Sequence, residues 1–145
     1  MKLLTWHCAE LRYVDKVPST RPQGIEAATG RKSEGSFSDV VAAFACVEEG
    51  DGVAEVQSAA ESVVSIVQML GPKRDVVLIP FAHLSSKLAS PDASSGLLGS
   101  LASLLTARSI TVHRVSFGYH KEFELHYKAY GHPGSVAYRS FPGGS

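Results

Sequence analysis

The stretch Asp75-Val76-Val77-Leu78-Ile79-Pro80-Phe81-Ala82-His83-Leu84-Ser85-Ser86 decides the fold. Its first five residues are nearly unbroken apolar and β-branched, the pattern of a strand buried on both faces. Pro80 has no N–H to donate and is expected to stop the ladder. A helix is expected to start just beyond it, with His83 at the junction. Open α/β sheets bind ligands beyond the carboxyl ends of their strands, so the backbone amides of this turn are expected to face a ligand. A second segment, Phe117-Gly118-Tyr119-His120-Lys121, follows another short strand and also gathers aromatic and ionisable groups around a glycine. Two such strand ends in one small chain predict one pocket.

Working outward, Lys2–Cys8 and Glu10–Val14 read as two strands of a hairpin, the second with alternating polarity. Residues Pro18 to Gly35 are rich in Pro, Gly, Ser, Thr and charge and are expected to form an exposed loop. At about eighteen residues it exceeds an ordinary connection. Asp39–Val47 is an apolar central strand whose small residues let another element, or a ligand, come close. Val56, Ala59, Ala60, Val63, Val64, Val67 and Leu70 have helical spacing within Val53–Leu70, and Gly71-Pro72 gives a stop. Asp92 is expected to cap a second helix running to Arg108, with Leu97, Leu98, Leu101, Leu104 and Leu105 as its core stripe. Strands Thr111–Val115 and Glu122–Tyr127 bracket the Phe117–Lys121 turn, and Gly134–Phe141 adds a last strand. The order predicts a mixed α/β domain, two main helices on a sheet that is largely antiparallel at its ends.

Composition bounds the function. A chain of 145 residues with 44% hydrophobic and 19% charged residues is one globular domain with a real core. Its 14 basic and 14 acidic residues balance to zero, which speaks against an autonomous nucleic-acid binder. The first eleven residues are too short and too polar for a signal peptide or membrane span. Cys8 and Cys46, both in predicted strands, read as buried free thiols of a reducing compartment. No Cys/His cluster has metal-ligand spacing, and His126 and His132 are too loosely arranged to supply one. No Gly-x-Ser-x-Gly nucleophile elbow occurs.

Individual residues leave alternatives open. His83 either contacts a substrate hydroxyl or caps and packs its turn; a helix N-terminus there would favour neutral imidazole. Lys121 is either a solvated surface lysine or a compact donor to a small oxygen ligand. Gly118 either lets the backbone approach a ligand or makes a plain turn. Phe117 and Tyr119 either stack on an adenine or complete the core.

The Pro80–Ser86 block with Leu88-Ala89 and Pro91, the Phe117-Gly118-Tyr119 and Lys121 block, and Gly131-His132-Pro133 together resemble the N-terminal editing domain of archaeal threonyl-tRNA synthetases. That fold is similar to the D-aminoacyl-tRNA deacylases. His7 and Val41-Ala42-Ala43-Phe44 add to the resemblance, which runs from Met1 to about Arg139. It implies an editing domain over residues 1–141, with 142–145 a linker or a truncated end. It implies hydrolysis of L-seryl-tRNA(Thr), with His83 and Lys121 as catalytic residues. Pro80, Phe81, Ala82, Ala45, Phe117, Gly118, Tyr119 and His120 would then bind substrate, with no cofactor and no metal. The partners implied are the seryl-bearing 3′ end of tRNA(Thr), synthetase catalytic and anticodon-binding domains in cis or trans, and a second copy in a homodimer. The setting implied is cytoplasmic, away from membranes.

The chain departs from the family pattern at two places. His120 stands where a second tyrosine is usual, and Val136 where a glutamate is expected, unless residues near Ala129-Tyr130 displace it. A D-aminoacyl-tRNA deacylase and a non-catalytic tRNA- or protein-binding module remain the alternative functions.

Overall fold

The computed structural model describes residues 1–18, 32–71, 74–128, 131 and 134–142. Among these residues six strands form one sheet: β1 (Lys2–Pro18), β2 (Glu34–Cys46), β3 (Val76–Pro80), β4 (Val112–Arg114), β5 (Tyr119–Tyr127) and β6 (Val136–Ser140). The helices are α1 (Val53–Met69) and α2 (Pro91–Ala107). The strand order is β4-β3-β2-β1-β5, with β6 also pairing β1. The β1 pairings with β2, β5 and β6 are antiparallel, while β2–β3 and β3–β4 are parallel. The sheet is therefore mixed and antiparallel around β1, but its β4 edge is parallel, against the expectation of antiparallel ends.

The expected hairpin within residues 2–14 is absent. Lys2–Pro18 is one strand, and what looked like a turn at Ala9 is a bulge, where the register shifts between Cys8 and Glu10 against β5. The extra residue resets the side-chain alternation. Cys8 before it and Leu11 and Tyr13 after it thus enter the same core, with Leu4 and Trp6 packed against that core. Asp39, opposite the bulge, has φ 52°, a left-handed conformation that aspartate tolerates better than most residues. The expected Pro18–Gly35 loop is shorter at both ends, because Pro18 belongs to β1 and Glu34-Gly35 to β2; residues 19–31 lie outside those described.

Two cores sandwich the sheet. On one face Leu3, Val41, Ala43, Ala45, Val76 and Leu78 meet the helical stripes, including Val56, Ala59, Val63, Val67, Leu98, Leu101 and Leu105. On the other face Val40, Ala42, Phe44, Val77 and Ile79 meet Val115 and partly buried Phe81, Leu84 and Phe123. Both faces of β3 are thus covered, as its unbroken apolar run predicts.

The start of α1 is held by the Gly52 N–H donating to Glu55 Oε2 at 2.7 Å, and its end by Gly71 at φ 98°. Pro72 lies outside the described residues. The cap of α2 is Ser90 rather than Asp92: its Oγ accepts the Ala93 N–H at 3.2 Å, with Pro91 opening the helix. Proline is pre-organised for that first position, which places the boundary two residues earlier. The last strand is Val136–Ser140, shorter than the expected Gly134–Phe141. Both cysteines are free and buried, and no described helix is long and apolar enough to cross a membrane.

Candidate active site

Beyond the carboxyl ends of β2 and β3 lies a cavity of about 550 Å³, walled on one side by the Pro80–His83 turn and on the other by Ser116–Lys121. Its size is that of a small-molecule site. The start of α2, through Pro91, Ser94 and Leu98, forms a third wall. All ten sequence-predicted site residues, Ala45, Pro80, Phe81, Ala82, His83, Phe117, Gly118, Tyr119, His120 and Lys121, border this space. The two distant segments thus meet.

The first wall is built differently from the sequence expectation. Pro80 is the last residue of β3, as expected, and its pairing with Ala45 closes the ladder through the Phe81 N–H, which donates to the Ala45 carbonyl at 2.9 Å. No α-helix begins at His83, only a single 3-10 turn over Ala82–Leu84. The helix dipole invoked for the imidazole is therefore missing, and α2 starts at Pro91. His83 is exposed. Its ring stands edge-on to Phe81 at 5.0 Å between centroids, and Phe81 in turn meets Phe44 at 5.1 Å. The segment after it is pinned to the end of β2. Ala89 N–H donates to the Val47 carbonyl at 3.1 Å, and Ser85 Oγ donates to Glu48 Oε2 at 2.5 Å. Burial works to raise the Glu48 carboxyl, but the Ser85 hydroxyl and the Met1 ammonium outweigh it and hold it below its ordinary value.

The second wall is partly strand. β5 begins at Tyr119, so His120 and Lys121 are ladder residues and only Ser116–Gly118 forms the turn. Gly118 has φ 92°, which a side chain would strain. Lys121 is not a solvated surface lysine. Its side chain is only 6% exposed, and Nζ lies 3.1 Å from Asp15 Oδ1 and donates to the Tyr119 carbonyl at 3.0 Å. Asp15 is itself 3% exposed, and its Oδ2 accepts the Ser116 hydroxyl at 2.8 Å. His120 is exposed.

Sequence reading missed Asp15 and Ser116. Asp15 falls just past the strand read to Val14, and only the β1–β5 register, which sets Asp15 opposite Lys121, brings the two together. Cys46, also in the wall, is no ready nucleophile: burial first, and then Glu48, push its thiol upward. Val136 is exposed on β6 and is not among the cavity residues. His132 lies outside the described residues, and among those described no group of three or more His, Cys, Asp or Glu could hold a metal ion. Chemically, the cavity offers an ammonium, an imidazole, backbone amides and carbonyls, and aromatic faces. That inventory can orient a small polar ligand and meet charge that develops on it.

The family model for the archaea-specific editing domain of threonyl-tRNA synthetase matches residues 1–141. A threonine–tRNA ligase of Staphylothermus marinus is 37% identical over 134 residues, covering 92% of this chain and 21% of the relative. A threonine–tRNA ligase editing subunit of Aeropyrum pernix is 35% identical over 142 residues, 97% of this chain and 32% of its own length. The chain thus spans between a fifth and a third of these relatives. Among solved structures, a c-Myc DNA unwinding element binding protein superposes with a TM-score of 0.69 at 8% identity, covering 98% of this chain and 99% of that one. A probable eukaryotic D-amino acid tRNA deacylase gives 0.56 at 8% identity, over 86% of this chain and 92% of that one. These two likenesses concern the fold.

Proposed function

The chain belongs to the archaea-specific editing-domain family of threonyl-tRNA synthetase, and from that membership we propose that its cavity hydrolyses the ester of mischarged L-seryl-tRNA(Thr), releasing serine and tRNA. One observation supports the reading above all: the two turns close on a single cavity with a buried, charge-paired lysine in its wall. A threonine-activating site rejects serine poorly, because one methyl group is worth only about 1–3 kcal/mol. A second site that destroys the serine ester corrects the error.

In this reading Lys121 holds the seryl hydroxyl, and the space beside it is too tight for a threonyl methyl or for the water that would attack. Backbone groups of Pro80, Phe81, Ala82 and Phe117 orient the aminoacyl moiety, the Phe117 and Tyr119 rings flank the terminal adenine, and Ala45 and Gly118 leave room for close approach. His83 contacts a ribose hydroxyl, and His120 stands at the rim. Water attacks the ester carbonyl, whose developing charge meets backbone N–H groups, and a terminal ribose hydroxyl assists the proton transfer. Residues 1–141 act as the unit, and synthetase catalytic and anticodon-binding domains, in cis or trans, hold the rest of the tRNA in the cytoplasm. A balanced charge of 14 basic and 14 acidic residues fits that division of labour, and the exposed edge strands fit pairing with a second copy.

Single-turnover deacylation tests the proposal. L-seryl-tRNA(Thr) is expected to lose its amino acid well above the spontaneous rate and L-threonyl-tRNA(Thr) is not. Faster hydrolysis of D-seryl-tRNA would move the assignment to a D-aminoacyl-tRNA deacylase, and no acceleration with any substrate would leave a non-catalytic binding module.

A further inference from the structure

A lysine side chain has four torsions and no preferred end point in a cavity wall unless something fixes its ammonium. Here the fixing group is identifiable. Asp15 and Lys121 are Cα partners across β1 and β5, so their side chains leave the sheet on one face. Both are almost wholly buried, with Nζ 3.1 Å from Oδ1. The other carboxylate oxygen takes the Ser116 hydroxyl at 2.8 Å, and Ser116 is itself buried and begins the turn that carries Phe117 and Gly118. A single carboxylate therefore sets both the ammonium and the aromatic wall. The β1–β5 register also shifts between Asp15 and Val17, so the strand departs from regular pairing just past this residue. Asp15 is not itself a cavity-wall residue, whereas Lys121 and Ser116 are.

We propose that Asp15 is the positioning residue of this site, holding the Lys121 ammonium and, through Ser116, the facing turn in the arrangement that the seryl ester requires. The inference rests on the hydrolytic reading for its consequence in rate, but not for the placement of Lys121. Asp15 does not touch substrate and transfers no proton. Its effect is on how often the bound ester meets a correctly placed ammonium, so it belongs in kcat more than in KM.

Two measurements on the 145-residue chain separate the placement from the activity. First, the folded protein is treated with an amine-acylating ester, and modification of Lys121 is followed by peptide mass spectrometry, with Lys16 as an exposed internal standard. Asp15→Asn is expected to speed labelling of Lys121 roughly tenfold or more while Lys16 is unchanged. Equal Lys121 labelling in both proteins would overturn the proposal, whether or not either hydrolyses tRNA. Second, deacylation of L-seryl-tRNA(Thr) by Asp15→Asn is expected to fall roughly 10- to 100-fold in kcat with KM within about twofold. A wild-type rate, or a loss confined to KM, would overturn it. If the wild-type chain gives no hydrolysis while labelling still responds, the hydrolytic reading fails and the placement by Asp15 stands. Should Asp15→Asn not fold, Ser116→Ala keeps the ion pair and removes one hydroxyl. It is then expected to lower kcat by about threefold to tenfold with KM unchanged, and no change in kcat would count against the proposal.

Discussion

Two carboxylate–cation clusters lie at opposite ends of β3, and they solve the same electrostatic problem in different ways. Beyond its carboxyl end, Asp15 meets one ammonium and one hydroxyl, with both charged side chains almost wholly buried. Before its amino end, Asp39 is half exposed and gathers an imidazole and two cations: His7 Nε2 at 2.7 Å, Lys128 Nζ at 3.0 Å and Arg74 Nε at 3.1 Å. Asp39 has more partners, yet its side chain is 50% exposed, so solvent and salt screen each of them. Number of partners and strength of constraint therefore run in opposite directions. The exposed cluster ties four chain segments loosely, whereas the buried one fixes one functional atom.

The largest expected effect separates the two at once. Lys121→Met leaves a buried carboxylate without its charge partner and is expected to cost about 3–5 kcal/mol of stability. Combining it with Asp15→Asn should recover most of that loss, because no buried charge remains. At the exposed cluster, Arg74→Met and Lys128→Met should each cost less than about 1 kcal/mol. Chemical denaturation of these four variants and the wild type checks this, and equal losses at both ends would erase the contrast.

Next in size is Gly118→Ala, which forces a side chain into the left-handed region at the turn beside the buried pair. It is expected to cost about 1–2 kcal/mol and to weaken seryl-tRNA deacylation, as thermal melting and single-turnover kinetics would report. The equivalent strain at Asp39 is already borne by an aspartate, so Asp39→Gly should not carry that penalty.

The smallest effect concerns acid. His7 first, then Lys128, hold the Asp39 carboxyl far below the usual carboxylate range, with burial opposing them and Arg74 adding to them. A depressed carboxyl contributes stability above its unfolded value of about 3.9 and loses it as the pH falls through the folded value. Asp39→Asn should therefore flatten the decline of melting temperature between about pH 5 and pH 2, with a cost at neutral pH below about 1 kcal/mol because the group is exposed. Raising salt from about 0.1 M to 1 M should shrink that difference, since the Debye length falls from about 10 Å to 3 Å. An unchanged acid limb in Asp39→Asn would show that His7, Lys128 and Arg74 contribute nothing there.

These contrasts also mark what could be read before any coordinates. Both helices were legible because Val56 to Val67 and Leu97 to Leu105 repeat with a helical period that only burial enforces. The two cavity segments were legible because apolar strands end at Ile79-Pro80 and near Val115, each followed by Gly or Pro and ionisable groups. β1 was misread because Ala9-Glu10 interrupts its apolar run just as a turn does; a bulge and a turn look alike until the partner strands are known. Asp15 was invisible for another reason. Its side chain shares the parity of buried Leu11 and Tyr13, but the strand read from the sequence stops at Val14, one residue short of it. Ser90 was passed over because Asp92 is also a good cap, and the choice depended on Pro91 being the first helical residue.

β1 carries a consequence of its own. Over Leu3–Trp6 it is bonded to β2 on one edge and β6 on the other, and over Glu10–Val14 to β2 and β5. Neither edge can fray while its neighbours hold, so in deuterated solvent these amides should keep their protons until the molecule unravels as a whole. His7 and Asp15 both hang from this strand, and a knot tied to its last surviving thread stays tied as long as the cloth does.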